Sequence, residues 1–351
     1  MPSRSFRSCL RRVGSHGLAA SSAARSARGE GEREREGTSL DLSRRLAWAR
    51  ELLVASEVID GHAWSLLVDW PRVLGGPPQT EKVRALRACS AALRDAVDPE
   101  RASLRLEVCA VAHSSHEGLA AAVAQLDALV SAIVGDLPDD ARGLEAWART
   151  SRSSAAPFVR HLLDTSSASV GSSDVALLPE LDARWFAARL SASAAFGGRP
   201  TVDGAPHEAG PIARAATSPL VASVIGVHGR GALARLAARL VELASAPGRV
   251  RATALAGEAT ELASHGGCGV ADTARGRLAH WALVERDVIV DWRFVAPTEW
   301  TFHPEGAFPR GLVGAHARAH EVAQRVQLHV AALDPCVPCE ITLRDAASAV
   351  K

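Results

Sequence analysis

Tyrosine is absent from the 351 residues, methionine occurs once, and only Lys82 and Lys351 among the 40 basic residues are lysine. With Ala abundant, this reads as a codon bias toward Arg and Ala and carries no functional weight. An excess of charge is lacking too: 40 basic against 39 acidic residues leave a net +1. That excludes a global electrostatic pull toward nucleic acid or an anionic membrane. The six cysteines, Cys9, Cys89, Cys109, Cys268, Cys336 and Cys339, show no evenly spaced framework of the kind small secreted domains use. A reducing, cytoplasmic setting fits them better. Long apolar runs are missing as well. The nearest, Leu119 to Val134, is interrupted by Gln125 and Asp127, so no membrane span is expected.

What is present is enough apolar residue, 47%, for a sizeable core. Residues 1–38 stand apart. They are rich in Arg, Ser and Gly and end in the charge run Gly29 to Glu36. Such a start resembles a transit peptide, but its acidic residues oppose that reading, and a disordered tail or a misplaced start is expected instead. Residues 39–351 are expected to form a single domain.

From Leu40 to Val97 apolar residues recur at helical spacing, broken by the turn-forming Leu74-Gly75-Gly76-Pro77-Pro78. Residues 102–136 continue as one or two Ala-rich helices, with Pro138-Asp139-Asp140 as a stop and restart. Residues 165–175 read as a loop. Ser218 to Ala246 reads as helix interrupted near Gly226 to Gly231. The persuasive strand signal is a hairpin from Trp281 to Ala296 turning at Arg286-Asp287. The expected class is α+β, mainly α-helical, with a small antiparallel sheet near the C-terminus.

Three segments carry chemistry. In Asp334-Pro335-Cys336-Val337-Pro338-Cys339 two thiolates at C-x-x-C spacing can chelate one soft metal if a tight turn points both sulfurs the same way. A redox dithiol, half of a zinc site and chance spacing remain open, since a structural zinc site normally takes four ligands. In Arg275-Gly276-Arg277-Leu278-Ala279-His280-Trp281, followed by Pro297-Thr298-Glu299-Trp300, an Arg flanked by Gly can bring its fork of donors close to an anion. It can equally be a surface Arg ahead of a strand. The third segment, Glu208-Ala209-Gly210-Pro211-Ile212-Ala213-Arg214, is adequately explained as a turn and a helix start. Cys268, in Gly266-Gly267-Cys268-Gly269, is either a third thiolate near the site or a turn cysteine with no role. His280 and His303 are better read as structural than as ligands.

Taken in order, these segments resemble the nickel-iron hydrogenase large-subunit family. The match runs through Glu208 to Arg214, Arg275 to Trp281, Pro297 to Trp300 and the Asp-Pro-Cys-x-x-Cys end at 334–339. The resemblance implies that Cys336 and Cys339 are metal thiolates, and that Arg275, Pro297 and Thr298 surround the cyanides of an iron that carries cyanide and carbon monoxide. Two departures stand against a complete enzyme. The family's second cysteine pair has at best a remnant in Arg105 to His113, where Cys109 reads as a small core residue. The family's Cys-x-x-His processing end is replaced, Cys339 being followed by Glu340-Ile341-Thr342.

A chain that keeps the C-terminal motif and lacks the rest is similar to the hydrogenase accessory proteins of the HupK family. The runs Pro297 to Pro304, and His62-Ala63-Trp64 leading to Leu67-Val68-Asp69-Trp70-Pro71, point the same way. This resemblance implies a cytoplasmic, non-enzymatic assembly factor that transiently holds an iron-cyanide-carbonyl fragment, without nickel. Its implied partners are hydrogenase maturation proteins and the large subunit itself. A metal-free mimic of the large subunit that docks maturation proteins is the alternative.

Overall fold

The computed structural model describes residues 19–20, 23, 27, 38–100, 116–256, 264–286, 288–337 and 339–343. Cys109, and with it the Arg105 to His113 remnant, lies outside the described residues.

The N-terminal half is helical where apolar periodicity places helices. Helix α1, Thr38–Trp64, runs into a π-helical turn, Ser65–Asp69, and a last turn, Trp70–Val73. The Gly-Gly-Pro-Pro break then separates it from α2, Thr80–Val97. In α3, His116–Val134, the residues Leu119, Ala122, Val123, Leu126, Val130 and Ile133 are buried, a stripe of i, i+3, i+4 and i+7 spacing. By length and composition Glu117–Val134 is apolar enough to cross a membrane, contrary to the sequence expectation. The reason is that Gln125 and Asp127 are too few to offset its Ala, Leu and Val. Here that stripe packs against neighbouring helices of the core. The restart at Asp140 is confirmed: its carboxylate accepts from Gly143 N at 2.6 Å and caps α4, Ala141–Thr150. Helix α5, Ala156–Asp164, follows, and the expected loop then leads to the two-residue strand β1, Ala176–Leu177.

Helix α6, Ala183–Ala192, is capped by Asp182. Strand β2, His207–Glu208, pairs in parallel with β1, so Glu208 stands opposite Leu177. Helices α7, Pro211–Ala215, and α8, Pro219–His228, precede the long α9, Ala232–Ala256. The break before α9 is where Gly226 to Gly231 placed it, but α9 continues past Ala246 with Pro247 inside. Burial of Leu243, Ala246 and Val250 holds the helix through the hydrogen bond that proline cannot donate. Leu233, Ala234, Leu236, Ala237, Ala238 and Leu240 are all buried, because small Ala side chains let helices approach α9 from several sides.

The sheet is larger than a hairpin. Strands β3, Ser264–His265, β4, Cys268–Thr273, β5, Gly276–Glu285, and β6, Val288–Val295, form one antiparallel meander. Its inner face packs Cys268, Val270, Ala279 and Val295 with Phe186 and Leu190 of α6 and with Trp300. Of residues 1–38, Ala19 is buried against Ala271 and Leu278 of this sheet. Helix α10, Pro297–Thr301, follows the hairpin, and α11, Val322–Leu333, leads into Asp334.

Candidate functional site

The site begins with how α11 is held. His329 is buried, with its ring stacked on Phe308 at 5.5 Å and its Nε2 3.0 Å from the Phe308 carbonyl, to which it donates. Gly171 and Gly311 close on the ring from two other directions; a Cβ on Gly171 would overlap Nδ1, and one on Gly311 would lie 2.7 Å from Nε2. Burial, with the nearby Arg235 guanidinium, lowers this imidazole to about 4, so it is neutral at physiological pH. α11 is therefore pinned near its C-terminal end. It stops at Asp334, which adopts the left-handed conformation, φ 56° and ψ 69°, and hands the chain to Pro335 and Cys336.

Asp334 is the anchor of the cysteine turn. Arg275 donates from Nε to its carbonyl at 2.7 Å and from Nη2 to its carboxylate at 2.8 Å, both partners being buried. The sequence reading had Arg275 as a donor to a ligand or as a surface residue; the structure commits two of its donors to the turn that carries Cys336. Gly276, at φ 131°, lets this segment approach Pro297 and the backbone of Gly210; an added Cβ would lie 3.0 Å from Pro297 Cβ. Pro297 opens α10, and Thr298 in its first turn places Oγ1 3.8 Å from Cys336 Sγ, within hydrogen-bonding reach of sulfur. Arg275, Pro297, Thr298 and Cys336 are thus brought together. Cys336 is half-buried and Cys339 exposed, and neither is in a disulfide. Partial burial and the neighbouring Cys336 thiol push Cys339 up.

Cys268 does not join them. It opens β4 rather than lying in a turn, on the opposite end of the strand from Arg275, and burial pushes its thiol up to about 12. It is a protonated core thiol, which corrects the third-thiolate reading. His280, packed between Trp292 and Phe294, and His303, which accepts from Glu305 N at 3.1 Å, have structural duties. Among the described residues no group of three or more His, Cys, Asp or Glu side chains is arranged to hold a metal ion. Two thiolates suit a metal that arrives with most of its coordination already filled, and they suit a bare ion poorly.

The residues that hold these segments were not singled out from sequence. α9 turns Arg235, Arg239 and Glu242, spaced i, i+4 and i+7, onto a buried face. Arg235 grips Glu208 bidentately at 2.6 and 3.0 Å. Glu242 accepts from Arg214 Nε at 2.5 Å and Nη2 at 2.7 Å, and lies 3.0 Å from His62 Nε2. Burial alone would raise the Glu242 carboxyl, but its Arg214 and His62 partners overcome that and hold it at about 2. Arg239 faces Asp334 at 3.9 Å. One helix face therefore ties together the Glu208 to Arg214 segment, Asp334 and the His62 run, and Asp334 carries the connection on to Arg275.

Comparison with known proteins agrees with this geometry. The nickel-dependent hydrogenase family matches residues 212–342, the part of the chain that carries the site. The hydrogenase expression/formation protein HupK of Azotobacter vinelandii is 32% identical over 231 residues, covering 63% of this chain and 64% of that protein. The chain is similar to the HupK-type expression/formation proteins and to the nickel-dependent hydrogenase family. Expression/formation protein HoxV of Cupriavidus necator is 29% identical over 313 residues, covering 81% of this chain and 75% of its own. The match covers 40% of HupV from Azotobacter chroococcum and 45% of HupK from Rhizobium leguminosarum, so the chain spans less than two thirds of these curated relatives. Among solved structures, an NAD+-reducing [NiFe]-hydrogenase aligns with a TM-score of 0.56 at 16% identity, over 92% of this chain and 84% of that one. The Ni-Fe-Se hydrogenase of Desulfovibrio vulgaris Hildenborough aligns with 0.51 at 14%, with the same coverage. These likenesses establish that the chain has the hydrogenase large-subunit fold.

Proposed function

We propose that this HupK-type chain is a non-enzymatic factor in nickel-iron hydrogenase maturation, and that Cys336 and Cys339 hold an iron-cyanide-carbonyl unit as cargo before it passes to the true large subunit. The observation that carries the reading is the contact of Thr298 Oγ1 with Cys336 Sγ beside the Arg275–Asp334 pair. It joins thiolate, hydroxyl and guanidinium donors at one turn, with no metal-binding cluster among the described residues. An iron that brings its own diatomic ligands needs few from the protein, and the electron-rich ends of those ligands need donors once they leave water. In this reading the partners are maturation proteins and the large subunit, and the setting is cytoplasmic.

Anaerobic purification from a hydrogenase-making host, followed by infrared spectroscopy, tests it. Bands of metal-bound cyanide and carbonyl are expected, and Cys336→Ser is expected to abolish them. Iron that is absent, or that survives the substitution unchanged, sinks the carrier reading. One observation favours a second reading, a metal-free mimic that docks maturation proteins: Arg275 already has two donors filled by Asp334. That reading requires hydrogenase maturation to survive replacement of both cysteines.

A further inference from the structure

The proposed function leaves one buried charge without a task. Arg239 on α9 is 1% exposed. Its Nη2 donates to the Ala332 carbonyl at 3.2 Å and stands 3.9 Å from Asp334 Oδ2. Its Nε and Nη1 find no hydrogen-bond partner among the described residues, and neither does Asp334 Oδ2. A buried guanidinium with unfilled donors is costly, and native interiors rarely keep one without a reason. A cavity of about 20 Å³, with Arg239, Arg275 and Asp334 in its lining, has room for a water molecule.

Charge counting sharpens the point. Arg235 is closed on Glu208, which leaves Arg239 and Arg275 facing one carboxylate, Asp334, and Arg275 holds it. Asp69 adds a further negative charge within electrostatic reach, but burial and repulsion by Asp334 push its carboxyl up to about 6. Of these two carboxylates, Asp334 is the one that hydrogen-bonds a guanidinium of the pair, that of Arg275.

We infer that Asp334 is a counter-ion with two seats and that Arg239 is the second: when an electron-rich ligand takes the guanidinium of Arg275, the Asp334 carboxylate crosses to the guanidinium of Arg239. Closing the 3.9 Å between Asp334 Oδ2 and Arg239 Nη2 to a charge-assisted hydrogen bond takes a movement of about 1 Å, within reach of a side-chain rotation. Afterwards each guanidinium has its own anion. Because Asp334 is two residues from Cys336, the exchange also links occupancy of Arg275 to the set of the cysteine turn. Arg239 is then a positioning residue, acting on the cargo through Asp334. The inference rests on the carrier reading for the identity of the ligand, and on geometry alone for the exchange.

Crystals of the metal-free full-length protein soaked in sodium cyanide decide the exchange by themselves. The expected result is the anion on Arg275 with Asp334 within hydrogen-bond distance of Arg239. No anion on Arg275 at saturation, or Asp334 still on Arg275 with Arg239 filled by anion or water, overturns the inference whatever happens to iron. Arg239→Met supplies the second readout. It is expected to melt within about 2 °C of wild type when metal-free, since few filled hydrogen bonds are lost, yet to release the iron unit several-fold faster. Its cyanide bands should shift toward those of Arg275→Met. A large loss of melting temperature with unchanged bands and retention would make Arg239 merely structural. Wild-type protein without iron-bound cyanide bands sinks the carrier reading and leaves the soak to judge Arg239.

Discussion

The buried face of α9 and the cysteine turn are neighbours built on opposite plans. On α9, Arg235 and Glu242 are locked into bidentate ion pairs with Glu208 and Arg214, the first out of water and the second with Arg214 reaching the surface. At the turn, Cys336 is half-buried beside the Thr298 hydroxyl and Cys339 is exposed. The framework is in place before anything binds, while the thiols stay accessible from outside. The proposed carrier reading accounts for this division, since a cargo must arrive and leave whereas a resident cofactor would ask for enclosure.

If the framework is the rigid partner, breaking its fixings should unfold the protein and changing the turn should not. The largest effect is expected from Gly171→Ala. Its Cβ would overlap His329 at a backbone φ of 70°, for a loss of about 4 to 5 kcal/mol in urea unfolding, or no folded protein. Glu208→Gln leaves Arg235 unpaired in the interior and should cost about 3 kcal/mol or more, whereas Glu208→Leu with Arg235→Met should recover most of it. A double-mutant cycle checks this. A recovery that fails would mean the pair does more than satisfy its own charges.

The pH dependence tests the clamp on α11. His329 is lowered to about 4 in the folded state from an ordinary 6.5, so its contribution is complete above pH 6.5 and is lost as the pH falls toward 4, where the unfolded chain binds the proton first. Urea midpoints of wild type and His329→Gln should therefore converge on acidification, by on the order of 2 kcal/mol between pH 7 and 4. Asp60 and Asp69, raised to about 6, act in the opposite sense in both proteins and cancel in the difference. The smallest effect separates the cysteines. Cys339→Ser should change stability by less than about 0.5 kcal/mol. In native protein iodoacetamide should label Cys336 and Cys339 and spare Cys268, which reacts only on unfolding, as mass spectrometry of the peptides will show.

Much of this architecture was legible in the residues. Gly-Gly-Pro-Pro, Asp140 and the Arg286 turn punctuate the chain by local backbone chemistry, and each acts where it stands. Strand β4 was missed because Gly266-Gly267-Cys268-Gly269 looks like a loop until β5 supplies its pairing partner. Pro247 looks like a helix end until packing outweighs one lost hydrogen bond. At the candidate site, Cys336, Cys339, Thr298 and Arg275 were singled out through their motifs, and the structure places Cys336, Thr298 and Arg275 around one turn. Arg235, Arg239 and Glu242 escaped notice because charges at i, i+4 and i+7 normally mark a solvated helix face. Only partners remote in sequence, at Glu208, Arg214 and Asp334, turn that face inward. The double engagement of Asp334 is likewise a property of three segments at once.

The π-helical turn at Ser65–Asp69 sets a rule about length. It is wider than the α-helix on either side, which lets the buried Leu66 and Leu67 and then Trp70, packed 6.0 Å from Phe158, all reach the core. Removing a single residue there would let α1 run straight on and swing everything after it by about 100° around the axis. Trp70 would then face away from Phe158, and Asp69 away from the neighbourhood of Asp334. The stretch can trade one apolar side chain for another far more cheaply than it can change its count, so a frame slip of one here would reach the cysteine turn more than 260 positions downstream in a chain of 351.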